Sequence, residues 1–171
     1  MIAPVLPENE EERLASLHAL ELLDSPQEQR FDQIVSLAKA VMGVPIAYIA
    51  LLDSDRQWFK AKGGLCDTLS ETPRDESFCG HAILQDEPLI VEDALKDSRF
   101  FDNPMVTSEP YVRFYAGHPL QSQSGHNVAT LCVVDTQPRS FTDDDMSKFH
   151  ALAAMARLRM DLDRGRIDDA W

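Results

Sequence analysis

Long apolar runs, basic residues and cysteines are all scarce in this chain of 171 residues. No stretch of about 18 uncharged apolar residues occurs, so the sequence predicts no transmembrane helix. Residues 1–8 have neither a basic region nor a long apolar run, and we expect no secretion signal there. The three cysteines, Cys66, Cys79 and Cys132, are too few and too scattered for a disulfide framework. A reducing compartment, the cytoplasm, is therefore the expected location.

The shortage of basic residues also excludes two classes of partner. Lysine and arginine total 16 against 29 acidic residues, which gives a net charge of −13. Proteins bind nucleic acid and anionic membranes through clustered Lys and Arg side chains, so neither is an expected partner. The negative charge is instead typical of a protein that stays soluble in the cytoplasm.

Motifs of nucleotide-binding and acyl-transfer enzymes are missing as well. The seven glycines form neither GxGxxG nor GxxxxGK[ST], and no GxSxG is present. The cysteines and histidines offer at most one loose pair, Cys79 and His81, where structural zinc needs two compact pairs. We therefore predict that the protein is not an enzyme, has no catalytic residues and binds no metal, and the residues indicate no particular cofactor.

Helical periodicity and capping residues predict three long helices. The first lies within residues 1–24 and begins at Asn9. The second begins at Ser25, which can cap it and is followed by a proline, and it ends at Gly43. The third spans residues 142–164, with a threonine N-cap and three aspartates that favour the first turn.

Apolar runs between the second and third helices predict an antiparallel sheet. The predicted strands are residues 44–52, 56–62, 88–91, 111–120 and 127–135. A loop is expected from Gly63 to about residue 75, followed by a short helix at 77–84. An apolar share of 44% fits one core, so the whole chain, residues 1–171, is interpreted as a single α+β domain.

Three short segments crowd charged, aromatic, thiol and imidazole side chains between apolar strands. They are PRDESFCGHAIL at residues 73–84, DSRFFDNP at 97–104 and RFYAGHPL at 113–120. Together they resemble the GAF family of small-ligand sensor domains, which precede cyclase or kinase modules. The resemblance implies a central antiparallel sheet with terminal helices on one face. On the other face it implies a ligand pocket closed by loops and a short helix.

The pocket that this resemblance implies would be lined by side chains from those segments and from the second strand. The ligand-binding candidates are Trp58, Arg74, Asp75, Phe78, Cys79, His81, Asp93, Phe101, Asn103, Arg113 and Tyr115. Alternation sends Trp58 and Phe59 to opposite faces of their strand, so only one of these rings can line the pocket. The loop around Phe101 can close over a ligand or fill the pocket with its own rings.

The polar candidates also have purely structural interpretations. Arg113 can bind an anionic or planar ligand, or it can pair with Asp75 or Asp93 and brace the loop. Cys79 and His81 can face the pocket, or they can be a buried thiol and a histidine bonded to a backbone carbonyl group. The sequence leaves both interpretations open.

Two other functions are alternatives to a ligand sensor. The first is a redox enzyme of the free methionine sulfoxide reductase type, which resembles this chain in fold. That function is disfavoured because no cysteine occurs between Asp93 and Val112, where the catalytic one is expected. The second is a GAF domain with a filled pocket that serves only to dimerise. A bilin chromophore is disfavoured because Gly80 separates Cys79 from His81, whereas bilin-binding relatives commonly have adjacent Cys and His.

Surplus apolar residues on the terminal helices predict a homodimer that signals to an output module on a partner. The sheet-facing row of the last helix is Met146, Phe149, Ala153, Ala156 and Met160. A further row comprises Leu152, Met155, Leu158 and Leu162. The first helix adds Leu14, Leu17, Leu20 and Leu23. A twofold pairing would bury the last two rows together, whereas in a monomer the first helix would cover the last one.

Overall fold

A six-stranded sheet forms the centre of the computed structural model, which describes residues 1–162. The strands are β1 (Ile46–Leu52), β2 (Arg56–Gly63), β3 (Glu71–Pro73), β4 (Leu89–Val91), β5 (Phe114–Gln121) and β6 (Asn127–Asp135). Their order across the sheet is β3-β2-β1-β6-β5-β4, and every neighbouring pair is antiparallel. The apolar sequences of β1 and β6 are explained by their central position, where both faces of the strand are buried.

The long helices cover one face of this sheet, which we call the helix face. The helices are α1 (Glu10–Ala19), α2 (Gln29–Met42), α3 (Cys79–Ala82), α4 (Pro104–Thr107) and α5 (Asp143–Asp161). Helices α2 and α5 pack against each other, and α1, α2 and α5 contact the sheet. Phe31 and Phe149 lie fully buried between these helices and the strands. None of the helices in residues 1–162 is long and apolar enough to cross a membrane.

The opposite face of the sheet, which we call the loop face, carries a second apolar core. It is covered by α3, α4 and the loops around them. Leu131 and Val133 of β6 face the helices, whereas Cys132 and Val134, which alternate with them, lie on the loop face. On β5, Phe114 faces the helices and Tyr115 the loops. The architecture agrees with the predicted α+β class and places the candidate pocket on the loop face.

The junction between α1 and α2 differs from the prediction. Helix α1 is shorter than predicted, and α2 begins at Gln29 rather than at Ser25. The Ser25 hydroxyl donates to the Leu22 carbonyl oxygen at 2.5 Å and so does not cap α2. The Lys60 ammonium of β2 donates to the same hydroxyl at 2.6 Å, which ties the junction to the sheet as a loop.

Two predicted helix boundaries are confirmed. Helix α2 ends at Gly43, whose φ of 64° is the left-handed conformation that glycine adopts without strain. Helix α5 begins after Thr142, whose hydroxyl accepts from the Asp145 N–H while the Asp145 carboxylate accepts from the Thr142 N–H. The predicted end of this helix, residue 164, lies outside the described residues.

Two elements beside the loop face differ from the predictions. Strand β3 pairs with β2 inside a segment that was predicted to be a loop. Helix α3 is a single turn of four residues, shorter than the predicted 77–84 helix. Both are short elements whose conformation depends on the strands they pack against.

Candidate functional site

A cavity of about 60 Å³ lies on the loop face between the strands and the segments that cover them. It is lined by Ile46, Tyr48, Gln57, Phe59, Leu65, Thr72, Glu76, Ser77, Phe78, Pro104, Met105, Pro110, Val112, Tyr115 and Val134. Pockets for small-molecule ligands usually measure about 300–1,000 Å³, so this cavity is several times smaller. The surrounding side chains therefore fill most of the space that a ligand pocket would offer.

Aromatic rings form much of the cavity wall. Phe78 stacks on Phe100 with ring centroids 4.1 Å apart, and its centroid lies 4.9 Å from that of Tyr115. Tyr48 of β1 and Phe59 of β2 meet edge to face at 5.1 Å. Such contacts hold the rings of the wall in fixed relative orientations.

Two thiols lie beneath two phenols at the floor of the cavity. The Sγ atoms of Cys79 and Cys132 are 3.3 Å apart. The Tyr115 hydroxyl lies 3.2 Å from Cys79 Sγ and 3.3 Å from Cys132 Sγ, and the Tyr48 hydroxyl lies 3.9 Å from Cys79 Sγ. Both tyrosines also line the cavity, whereas neither cysteine does.

These four groups have strongly perturbed acidities. Burial raises the pKa of Tyr48 and Tyr115 well above the usual range, and the neighbouring thiols raise it further. Burial likewise raises the pKa of Cys132, and Cys79 beside it adds to the effect. Burial acts on Cys79 in the same direction, but hydrogen bonds from Cys132, Thr130 and the two tyrosines outweigh it and lower the Cys79 pKa. The hydrogen bonds around Cys79 thus favour its thiolate form.

One polar side chain of the cavity has an unpaired acceptor among residues 1–162. Gln57 is 6% exposed, its Nε2 donates to Thr72 Oγ1 at 2.8 Å, and its Oε1 has no hydrogen-bond partner. An unpaired buried acceptor costs about 1–3 kcal/mol, so a ligand N–H or O–H would be favourable there. The described lining residues include one carboxylate, Glu76, and no Lys, Arg or His. No three His, Cys, Asp or Glu side chains in this part of the chain cluster as a metal site.

Three of the candidates that the sequence predicted come together at the cavity. Phe78 and Tyr115 form part of its wall, and Cys79 lies directly beneath the Tyr115 hydroxyl. All three side chains are buried. The cavity lies between the α3 segment and β5, where the sequence predicted it.

The expectation that Trp58 lines the cavity is corrected by the structure. Its ring packs on the helix face, and Phe59 lines the cavity instead. The two rings do lie on opposite faces, as alternation predicted. The pairing of Trp58 with Leu51, a buried residue of the helix face, decides which ring faces the loops.

Arg74 and Asp75 also lie away from the cavity. Arg74 is 2% exposed, and its guanidinium donates to the Glu10 carboxylate at 2.6 and 3.1 Å and to the Asp53 carbonyl oxygen at 3.0 Å. The same carboxylate accepts from Arg13 at 2.8 Å. Asp75 is exposed to solvent. Arg74 thus attaches α1 to the segment between β3 and α3 rather than to a ligand.

Arg113 and Asp93 bind backbone groups rather than each other. The Arg113 guanidinium donates to the carbonyl oxygens of Val106 and Val112 at 2.9 and 3.0 Å. Asp93 accepts from the Leu95 N–H at 3.1 Å and so caps a 3₁₀ turn. Neither residue lines the cavity. Arg113 braces the α4 segment, as the structural interpretation expected, but through carbonyl groups instead of a carboxylate.

The remaining candidates shape the loops outside the cavity. His81 Nε2 lies 2.8 Å from the Ile2 carbonyl oxygen, and burial lowers the pKa of His81. Asn103 is buried and caps α4 with its side chain. Phe101 is 49% exposed, and its neighbour Phe100 is the ring that packs in the loop-face core.

Several cavity residues were missed by the sequence analysis. Tyr48 is the hydroxyl-bearing side chain of an otherwise apolar strand, and Gln57 shares a strand face with Phe59. Both patterns are visible in the sequence and could have identified these residues. Met105 and Pro110 come from a segment without periodicity, where the sequence offers no comparable signal.

The chain has an α+β fold with a six-stranded antiparallel sheet and a small cavity on its loop face. The chain matches the GAF domain family over residues 26–160 and belongs to that family. Its structure is similar to the GAF domain of an Acinetobacter phosphoenolpyruvate-protein phosphotransferase, with a TM-score of 0.62 and 22% identity over 87% of this chain and 92% of that chain.

A second solved structure has the same fold and a different described activity. It is the free methionine-R-sulfoxide reductase of Neisseria meningitidis in complex with its substrate, with a TM-score of 0.63 and 18% identity over 94% of this chain and 96% of that chain. At such identities the likeness to either structure shows the fold alone, because one fold carries many functions.

A relative of higher identity corrects one prediction. Over 161 residues the chain is 42% identical to a cyclic di-GMP phosphodiesterase of Pseudomonas aeruginosa. The match covers 92% of this chain and 27% of that protein, so the chain spans about a quarter of the relative's length. The prediction that the protein is not an enzyme is therefore wrong, because this relative, which aligns with 92% of the chain, is an enzyme.

Proposed function

We propose that the chain is the regulatory GAF region of a cytoplasmic cyclic di-GMP phosphodiesterase, where it binds a small molecule and controls the rate of hydrolysis. The main support is the 42% identity over 161 residues to the enzyme of Pseudomonas aeruginosa. Membership of the GAF family is further support, because domains of this family generally bind small ligands and precede output modules. The cavity on the loop face is the proposed ligand site.

The chemistry of the cavity favours a compact neutral or cationic ligand with an N–H or O–H donor. Gln57 Oε1 is an unpaired acceptor, Phe59 and Phe78 are apolar walls, and Glu76 adds a negative charge. An anion would meet no Lys, Arg or His among the described lining residues, and the net charge of −13 would repel it. The phosphates of a cyclic dinucleotide are therefore a poor match, and the proposed regulator differs from the substrate of the enzyme.

Ligand binding in a cavity of about 60 Å³ requires the covering segments to move outward. A ligand that binds the open arrangement more tightly increases its population. The α4 segment is attached to the start of β5 through the bond from Arg113 to the Val106 carbonyl oxygen. Strand β5 packs against α5, so displacement of the α4 segment has a direct route to the terminal helix.

The small volume also favours a second candidate function. A GAF domain whose own side chains fill the cavity would contribute a dimer contact and bind no ligand. Native mass spectrometry of the chain purified from its own cytoplasm separates the two candidates. The sensor is expected to retain a small molecule, and the dimerisation module is expected to retain none.

Gln57→Leu is expected to abolish retention of that molecule and to weaken its binding about tenfold or more, because the acceptor is removed while the side-chain size is kept. Gln33→Leu, on the exposed side of α2, is the matched control and should retain the molecule. Equal retention by both variants would show that the ligand does not use Gln57.

The regulatory role is tested in a chimera. This chain replaces the matching region of the Pseudomonas aeruginosa phosphodiesterase, and hydrolysis of cyclic di-GMP is measured with and without the retained molecule. The molecule is expected to change the rate of the parent chimera and of the Gln33→Leu chimera, but not that of the Gln57→Leu chimera. Equal rates in all conditions would refute regulation through the cavity.

The proposal includes a homodimer that pairs through the outer side of α5. Leu158 is 66% exposed, and Met155 and Leu162 are exposed beside it. The neighbouring helix α2 adds exposed Leu37 and Val41, which extend the apolar surface. The predicted pairing rows differ from the structure, because Leu152 and the four leucines predicted on the first helix pack on the core of their own chain. Those four are Leu14, Leu17, Leu20 and Leu23. The α5–α2 surface is therefore the proposed interface.

Leu158→Glu is expected to convert the dimer into a monomer, because the substitution places a charge in the proposed apolar contact. Leu95→Glu, at an exposed leucine on the 3₁₀ turn after β4, is the matched control and should leave a dimer. Light scattering at micromolar concentration measures both masses. A monomeric unaltered chain would contradict the proposal. Leu17→Glu is unsuitable for this test because Leu17 has no exposed surface.

A further inference from the structure

The two thiols beneath the cavity form a site that the proposed ligand binding does not use. Cys79 and Cys132 have no exposed surface, and their Sγ atoms lie 3.3 Å apart. We propose that a peroxide entering the cavity oxidises this pair to an intramolecular disulfide, so that the domain carries a peroxide-sensitive dithiol. This inference is independent of the regulatory ligand and of the phosphodiesterase activity.

The geometry requires only a small movement to form the bond. A disulfide has an S–S length of about 2.05 Å, so the sulfurs must approach by little more than 1 Å. Cys132 is held in the centre of β6, whereas Cys79 is the first residue of the single-turn helix α3. Helix α3 packs directly on β5 and β6 and is flanked by loops, so it is the element that can move.

The cavity provides the route for the oxidant. Tyr48 and Tyr115 line it, and their hydroxyls lie 3.9 and 3.2 Å from Cys79 Sγ, so a small shift of these two side chains opens the cavity to that sulfur. Hydrogen peroxide is about twice as large as water and fits a volume of about 60 Å³. Large oxidants and bulky thiol reagents are excluded by the same walls. The exposed thiol Cys66 lies outside this site and serves as an internal reference.

The hydrogen bonds distinguish the two sulfurs. The Tyr115 hydroxyl lies within 3.3 Å of both sulfurs and donates to Cys79 Sγ, whereas the Cys132 thiol donates to Thr130 Oγ1 at 3.2 Å. The Cys79 sulfur accepts a hydrogen bond, whereas the Cys132 thiol donates one. This difference identifies Cys79 as the nucleophile and Cys132 as the resolving thiol. The lowered pKa of Cys79 and the raised pKa of Cys132 agree with this assignment.

The reaction proceeds in two balanced steps. The Cys79 thiolate attacks one oxygen of hydrogen peroxide, the O–O bond breaks, and the leaving hydroxide takes up the proton that Cys79 released, forming water. Cys79 is then a sulfenic acid. Cys132 sulfur attacks the Cys79 sulfur, the S–O bond breaks, and the hydroxide leaves with the Cys132 proton as a second water. In total the two thiols lose two electrons and two protons, and one peroxide becomes two waters.

Peptide mapping of the unaltered 171-residue chain tests the proposal directly. After treatment with a slight excess of hydrogen peroxide, the remaining thiols are alkylated under denaturing conditions and the chain is digested without reduction. The expected product is a cross-linked peptide that joins Cys79 to Cys132, with no link through Cys66. Dithiothreitol should reverse it. A chain that keeps all three thiols, a link through Cys66, or sulfinic acid at Cys79 without a link would overturn the proposal.

Variants then test the roles of the sulfurs in a Cys66→Ser background. Cys132→Ser should stop the reaction at the sulfenic acid, which dimedone added together with denaturant labels at Cys79, and Cys79→Ser should give neither label nor link. Tyr115→Phe removes the donor to Cys79 and should slow oxidation about tenfold. Tyr111→Phe, at an exposed tyrosine, should oxidise at the unaltered rate. Dimedone labelling at Cys132 in Cys79→Ser, or equal rates for the two tyrosine variants, would overturn the assignment of Cys79 as nucleophile.

Discussion

Replacing Glu10 with glutamine is expected to lower the free energy of unfolding by about 3 kcal/mol, because it leaves two buried guanidinium groups without a counter-charge. Arg13 and Arg74 are 1% and 2% exposed, and each makes two hydrogen bonds to the Glu10 carboxylate at 2.6–3.1 Å. These bonds hold α1 against the segment that precedes α3. Urea unfolding measures the loss. Glu11→Gln, at the exposed neighbouring position, is the matched control and should change stability by less than about 0.5 kcal/mol.

The same network predicts a dependence of stability on pH. Burial raises the pKa of Glu10, but hydrogen bonds from Arg74 and Arg13 outweigh it and hold the pKa below the ordinary value of 4.5. The contribution of the carboxylate is therefore complete above pH 4.5 and is lost as the pH falls through the lower pKa of the folded state. The stability difference between the unaltered chain and Glu10→Gln should shrink on acidification below pH 4.5. A difference that stays constant, or that equals the Glu11→Gln effect at neutral pH, would contradict the role of Glu10.

The helix boundaries that could be predicted from the sequence are those that depend on local chemistry. Gly43 ends α2 through its own left-handed backbone conformation, which needs no distant partner. Thr142 caps α5 through hydrogen bonds with Asp145, which is only three residues away. The start of α2 could not be predicted in this way. Ser25 has the properties of an N-cap, but a contact with Lys60 on β2 holds it in a loop. That contact exists only once the sheet has formed.

The cavity was harder to predict because charged residues in its neighbourhood bind other parts of the protein. Arg74 and Arg113 have the donor geometry that anionic ligands require. In the folded protein, however, Arg74 donates to the Glu10 carboxylate and Arg113 donates to backbone carbonyl groups. Alternation separated Trp58 from Phe59 correctly, but it does not say which face of a strand is covered by helices. The register with β1 decides that, and an irregularity between Ile49 and Ala50 interrupts it.

Phe78→Ala is expected to lower the free energy of unfolding by about 3–5 kcal/mol, because a stacked and buried ring is removed beside an existing cavity. Phe78 is 5% exposed and contacts the rings of Phe100 and Tyr115. Thermal and urea unfolding measure the loss. Phe101→Ala is the matched control, because Phe101 is 49% exposed and its removal should cost less than about 1 kcal/mol. Similar losses for the two variants would show that Phe78 is not a core residue of the loop face.

The enlarged cavity of Phe78→Ala also makes a prediction about binding. The space left by the Phe78 ring is bounded by the rings of Phe100 and Tyr115, and an apolar space of that size binds benzene. A ligand that binds only the folded state stabilises it. Benzene should therefore raise the melting temperature of Phe78→Ala and leave the unaltered chain and Phe101→Ala unchanged, because about 60 Å³ is too small for the ring. A rise in the unaltered chain would instead indicate that the covering segments already open far enough to admit an aromatic ligand. Absence of a rise in Phe78→Ala would mean that the loop face collapses when the ring is removed, so that Phe78 itself keeps the cavity open.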